Sequence, residues 1–277
     1  MSGTLSHDVG FLPPWSGADY AANTAHHRAH DDEYLRTTPL RPTDRVLDLG
    51  CGSGDLTAVL AALVPDGHVV GVDAQPSMLD EARRRARPNQ SFVEAPVQRL
   101  DAAVDGPFDL VVSRACLHWV PGADWPGVLA AVARLVRPGG WVRIECGGAG
   151  NVPRIVRLLD DVSTSFGGGT APWTFHDAAT ALELLEAAGL DAAGEGCFVR
   201  TVGQRQPFDE ESMRGWLRSQ ALQAYEVSVP FADRQAFRET AESRLDELRR
   251  ADGSLDQTYV RLDVLARRRG SRDAIEG

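Results

Sequence analysis

The stretch Val46-Leu47-Asp48-Leu49-Gly50-Cys51-Gly52-Ser53-Gly54 decides how the rest of the chain is read. Apolar residues lead into glycines at every second position, the pattern of a buried strand that ends in a tight loop. Glycine permits a sharp turn and lets the backbone come against a ligand that a Cβ would hold off. A helix that follows presents unpaired N–H groups. A nucleotide-handling loop is therefore expected. The dinucleotide fingerprint needs its third glycine three residues after the second, and that position is Asp55. The spacing argues against a nicotinamide dinucleotide.

Outward from the loop, short β-branched runs alternate with helical stretches. Strands are expected at residues 45–49, 68–73, 90–94, 108–113 and 140–146, and helices at 56–63, 77–87 and 125–135. Such alternation is what a parallel sheet covered by helices requires, an α/β fold. Pro138, Gly139 and Gly140 are expected to punctuate the last of those helices from the fifth strand. Asp73 closes the second strand, 19 residues after Gly54, where a carboxylate can accept both hydroxyls of a ribose. Its plainer reading is a carboxylate at the start of the helix that follows.

Beyond Cys146 the chain passes Gly147, Gly148 and Gly150 and a small-residue loop at 167–169. A helix is expected at 177–188, with Asp177 as N-cap and Gly189 as its stop. Two β-rich stretches, 197–202 and 258–266, flank a helical block at 210–249. Residues 1–40 carry little apolar periodicity and read as an arm or lid. Residues 41–277 read as the main domain, with a helical lid inserted at about 205–252.

Composition excludes several classes. The 277 residues are 43% hydrophobic and 25% charged, which excludes a disordered chain or a disulfide scaffold. The net charge is −10, and every basic residue is an arginine. Such a chain repels phosphate backbones, so nucleic acid is not the expected partner. The run Arg83, Arg84, Arg85 and Arg87 falls at a helix end, where cations complement the dipole. Cys51, Cys116, Cys146 and Cys197 have neither zinc-site nor compact disulfide spacing, so reduced thiols in a cytoplasm are expected. No apolar run approaches the roughly 18 residues of a membrane span, and no signal pattern opens the chain.

Four pieces occur in order: Asp48 to Gly54; Asp73 with Met78 soon after; Ser113-Arg114-Ala115-Cys116-Leu117-His118-Trp119; and Arg137-Pro138-Gly139-Gly140. Together they resemble the class I S-adenosylmethionine (SAM) dependent methyltransferases. Leu117-His118-Trp119-Val120, the Trp173 to Asp177 segment and Tyr259-Val260-Arg261-Leu262-Asp263 are most similar to the trans-aconitate methyltransferase group. The resemblance, over about residues 15–268, implies a Rossmann-like doubly wound sheet of seven strands with the last antiparallel. It also implies SAM across the carboxyl ends of strands one to four, S-adenosylhomocysteine (SAH) as product, and a substrate pocket roofed by the inserted helices. The cofactor residues it implies are Asp48, Gly50, Cys51, Gly52, Gly54, Asp73, Ala74 and Met78; Tyr20 and Arg28 of the arm are read either as a lid helix closing over the SAM carboxylate or as part of a solvated helix. Family members commonly place an aspartate after strand three to read adenine, and here that position is Pro96. The backbone of Val97 or the amide of Gln98 must then serve. Arg114, also assigned to the cofactor site, replaces a small polar residue of the group.

Methyl transfer from a sulfonium is an in-line displacement, and positioning can supply most of the rate. A base is optional. His118 is either that base, a direct substrate contact, or a ring packed with Trp119 to shape the pocket floor; Trp119 and Trp173 are the accompanying substrate residues. His26 and His27, at neighbouring helical positions about 100° apart, cannot share a face, although His26 and His30 can, and a metal is not expected there. The expectation is methylation of a small organic acceptor by a monomer or homodimer. Rival readings are a SAM-fold protein without methyl transfer and an RNA methyltransferase. The latter is opposed by the charge and by Ser113 to Cys116 standing where the Asn/Asp-Pro-Pro-Tyr/Phe clamp belongs.

Overall fold

The structure, a computed structural model, describes residues 31–270. Tyr20, Arg28 and most of the expected arm lie outside the described residues. In chain order the elements of the sheet unit begin with α1 (Asp31–Arg36), β1 (Arg45–Leu49), α2 (Asp55–Leu63), β2 (His68–Asp73), α3 (Pro76–Arg84) and β3 (Gln90–Glu94). They continue with β4 (Phe108–Arg114), α4 (Trp125–Leu135) and β5 (Val136–Gly147).

After β5 come α5 (Pro153–Ser165), α6 (Ala178–Ala187), β6 (Leu190–Asp191), β7 (Phe198–Phe208), α7 (Glu210–Trp216), α8 (Arg234–Ser243) and β8 (Leu255–Arg268). The sheet has eight strands in the order β3-β2-β1-β4-β5-β8-β6, with β7 also pairing to β8. Strands β1 to β5 are parallel and β8 is antiparallel to β5. The expected seven-stranded sheet gains the two-residue β6, too short to leave a periodic signal.

Adjacent residues of each central strand enter opposite layers, because side chains alternate across a pleated strand. Leu47, Leu49, Val70, Val72, Val111 and Ile144 join a core with Val128, Leu129 and Val132 of α4 and Ala181 and Leu185 of α6. Val46, Val69, Leu110 and Val112 join another with Leu60 and Ala61 of α2. Both faces are thus dry, which is why β1 reads as a near-continuous apolar run.

Pro138, Gly139 and Gly140 do not terminate an element as expected. β5 runs through them, and the pairing with β4 shifts register between Phe108↔Val136 and Leu110↔Trp141. The extra residues are absorbed in that irregularity, where Gly139 adopts φ +71°, so the strand bends instead of stopping.

The described chain forms two compact units: residues 31–153, 173–206 and 257–270 around the sheet, and residues 154–172 and 207–256 as a helical unit. Helix α5 was not expected, although Ile155, Leu158, Leu159 and Val162 stand at the spacing of one helical face and are all buried. The expected block at 210–249 is interrupted: α7 passes through a π-helical turn, Leu217–Leu222, before α8. Inside this unit the Tyr225 hydroxyl donates to Asp160 Oδ1 at 2.7 Å and Phe166 meets Phe237 edge-on at 6.4 Å.

On the α1 face of the sheet, β5 and β8 share a buried ion network. Arg143 is 1% exposed and donates to Asp263 Oδ1 and to the Val264 carbonyl at 3.0 Å. Arg200 of β7 donates to the second Asp263 oxygen at 2.8 Å. The Tyr34 ring lies between the guanidiniums of Arg143 (4.3 Å) and Arg114 (5.3 Å), and its hydroxyl donates to the Arg143 carbonyl at 3.2 Å.

Candidate active site

The glycine loop leaves β1 and is pinned to β2: Gly50 and Cys51 N–H groups donate to the Val72 carbonyl at 2.8 and 3.0 Å. Two of its glycines are required for different reasons. Gly50 has φ +68°, and a Cβ there would stand 2.3 Å from Cys116 Sγ. Gly52 has φ +53°, yet a Cβ there meets nothing within 4 Å. The protein itself leaves that space open, as a loop that receives a ligand must. Gly50→Ala should accordingly cost stability, on the order of 1–3 kcal/mol from strain, read as a lowered thermal midpoint. Gly52→Ala should melt closer to the parent and lose at least about tenfold in cofactor affinity by calorimetry. The reverse ranking would remove Gly52 from the ligand-facing wall.

Asp73 grips the same loop. One oxygen accepts the Gly52 N–H at 2.9 Å and the other the Gln75 N–H at 2.8 Å. Burial raises its pKa above the ordinary carboxylate value, opposed by N–H groups of Gln75, Gly52 and Ala74. Each carboxylate oxygen has a second lone pair, so the group can hold the loop and accept ribose hydroxyls at once. Asp48, 1% exposed, accepts from the Thr57 hydroxyl at 2.7 Å. Cys51 and Met78 are buried beside the loop. Burial pushes the Cys51 thiol up, and that of Cys116 up to about 12, so neither is a nucleophile at neutral pH.

The segment after β3 holds a change from expectation. Pro96 opens the short turn Val97–Arg99, and Gln98 Nε2 donates to Asp124 Oδ2 at 3.4 Å. A carboxylate thus stands beside the segment that lacks one in sequence, brought from the loop ahead of α4. No linear spacing could have nominated it.

At the end of β4 Arg114 donates to Glu145 at 3.2 Å, with Arg261 approaching the same oxygen at 3.7 Å. His118 follows β4, and its Nδ1 accepts the Gly147 N–H at 3.2 Å. Its ring lies 5.5 Å from Trp119 and 6.0 Å from Phe175. Trp173 stacks on Phe175 at 5.9 Å and meets Trp119 edge-on at 5.6 Å. The structure therefore brings His118, Trp119 and Trp173 together and adds Phe175. Burial lowers the His118 pKa to about 4.

Among the described residues no group of three or more His, Cys, Asp or Glu is arranged to hold a metal ion, and no helix is long and apolar enough to cross a membrane. All four cysteines are free.

Residues 46–140 match the family model described as a methyltransferase domain. Over 217 residues the chain is 33% identical to trans-aconitate 2-methyltransferase of Deinococcus radiodurans, spanning 75% of this chain and 80% of that one. The chain is a class I SAM-dependent methyltransferase. In fold it is similar to the YcgJ protein of Bacillus subtilis, with TM-score 0.59, 19% identity and coverage of 89% of this chain and all of that one. It is also similar to Haemonchus contortus phosphoethanolamine N-methyltransferase 2 in complex with SAM, with TM-score 0.56, 16% identity, 92% of this chain and 57% of that one. SAM is the cofactor of this methyltransferase. The residues present suit it: an open wall at Gly52 and the carboxyl group of Asp73 gripping the same loop.

Proposed function

We propose that this methyltransferase esterifies a small organic acid, using the carboxylate itself as nucleophile. The carrying observation is the state of His118. Its Nδ1 lone pair is occupied by the Gly147 N–H, so the neutral ring carries its proton on Nε2 and offers a donor, not a base. SAM supplies a methyl group on a sulfonium. A carboxylate oxygen bonds to that methyl as the sulfur–methyl bond breaks and its electron pair passes to sulfur; no proton moves. Such an acceptor is already ionised at neutral pH and needs orientation only.

His118 then orients the acceptor by donating from Nε2, while Trp119, Trp173 and Phe175 shape an apolar wall. The name of the Deinococcus relative, a trans-aconitate 2-methyltransferase, supports a carboxylate acceptor. Free cysteines fit a cytoplasmic enzyme, and net charge −10 supports a small-molecule partner over nucleic acid. The remaining cofactor contacts belong to the same proposal.

The test is a panel of small mono-, di- and tricarboxylates with labelled SAM, followed by mild base. A methyl ester releases methanol, whereas an ether or N-methyl product survives and overturns the reading. The kcat should stay flat from about pH 6 to pH 9, because no general base titrates; a slope of about tenfold per pH unit across that window would restore one. His118→Ala should lower kcat/KM by roughly 10- to 100-fold, the loss of one hydrogen bond to a charged group, mostly through KM. His118→Gln, which keeps a donor, should recover much of it.

A further inference from the structure

We infer that Arg85 is a positioning residue for the cofactor: it fixes the direction of the Ser53 carbonyl and so holds the glycine loop in the form that receives SAM. This rests on the reading of that loop as a cofactor wall and not on the choice of acceptor.

The run Arg83, Arg84, Arg85 and Arg87 reads in sequence as a helix end whose cations complement the dipole, and the structure divides it. Arg83 faces Asp80 at 3.7 Å and Arg84 meets Glu81 at 2.8 Å, both within α3. Arg85 follows α3 and reaches out of it. Its Nε stands 3.3 Å from Glu81, its Nη1 donates to Asp55 Oδ1 at 3.0 Å, and its Nη2 donates to the Ser53 carbonyl at 2.8 Å. Every guanidinium nitrogen thus meets an oxygen, and two of those oxygens belong to the loop and to the first residue of α2. A planar fork can span them in one geometry, which a single ammonium cannot.

A separate contact brings α3 to the loop. Gly54 has φ +81°, and a Cβ there would stand 2.9 Å from the Cβ of Ala82, itself buried in the last turn of α3. Packing at Ala82 therefore carries Arg85, three residues on, to the loop. Asp55 completes the arrangement, because its other oxygen accepts from the Ser53 hydroxyl at 3.2 Å.

Ser53 stands between two glycines, both at positive φ. Glycine has no Cβ to restrict its dihedrals, so a carbonyl in such a segment needs an outside partner to fix its direction. Asp73 holds the segment at the Gly52 N–H and Arg85 holds it at the Ser53 carbonyl. With both in place the loop is ordered before the ligand arrives; without Arg85 the ordering is charged to binding. The side chains of Arg85 and Asp55 are 49% and 50% exposed, so their ion pair adds little to folding stability. The effect belongs in affinity.

Arg85→Ala should weaken SAM and SAH alike by about three- to tenfold in calorimetric titration, with the thermal midpoint within about 2 °C of the parent. Arg85→Lys should recover only part of the loss. Arg84→Ala removes the same charge from the same run and should bind SAM as the parent does. Hydrogen exchange in free Arg85→Ala should quicken at residues 50–55 and not in β1 or β2, and SAM should restore the protection. Parental SAM affinity in Arg85→Ala overturns the inference, as does an equal loss in Arg84→Ala or faster exchange across the sheet. Gly52→Ala separates the two levels: if it too binds SAM as the parent does, the reading of the loop has failed, whereas a weakened Gly52→Ala beside an unaffected Arg85→Ala removes the role of Arg85 alone.

Discussion

Asp73→Ala should weaken SAM by about 2–4 kcal/mol, roughly 30- to 1000-fold in Kd. The size reflects two losses at one position. On the proposal that Asp73 accepts the ribose hydroxyls, these would lose their charged acceptor, and the N–H groups of Gly52 and Gln75 lose the oxygens that hold them at 2.9 and 2.8 Å. The second loss loosens the wall that receives the cofactor, so it adds to the first. Asp73→Asn preserves one acceptor oxygen and should fall between the parent and the alanine variant. Calorimetric titration of SAM on each folded protein measures the effect. Unchanged affinity in Asp73→Ala would move the ribose elsewhere.

Asp263→Ala should cost about 3–5 kcal/mol of stability, the range for leaving one partner of a buried ion pair alone. Arg143 is 1% exposed, its Nε has no partner among the described residues, and Tyr34 beside it cannot replace a carboxylate. The stranded guanidinium would pull solvent into the β5–β8 rungs that carry Glu145 and Arg261. Scanning calorimetry should record a midpoint lower by about 6–15 °C for a chain of this size. Arg143→Leu combined with Asp263→Leu should regain much of the loss, since apolar replacement of a whole buried pair is often tolerated. A double variant no more stable than Asp263→Ala would mean that the network does more than compensate itself.

The sequence was most informative where a local rule and the global fold demand the same residue. Glycines at 50, 52 and 54 are legible because left-handed backbone and close approach to a ligand leave few alternatives, and all three adopt positive φ. Asp73 is legible as a strand-end carboxylate, whereas its grip on both the Gly52 and Gln75 N–H groups is not. The π-helical turn at Leu217–Leu222 carries no linear signal of this kind, since its residues suit an α-helix equally well.

His118 shows the boundary between the two kinds of information. Its position after β4 is written in the chain, and so is its neighbourhood with Trp119. Whether it serves as base or donor is not, because that depends on a backbone N–H of Gly147 that lies 29 positions away in sequence and 3.2 Å away in space. The same holds for Asp124 reaching Gln98, for Glu145 accepting from Arg114, and for Asp263 held by Arg143 and Arg200. The sequence by itself determined the doubly wound sheet and the glycine loop, because hydrophobic period and backbone sterics act over a few residues. Tertiary structure alone decided which polar groups meet, because hydrogen bonding and desolvation depend on what other strands bring within about 3–6 Å.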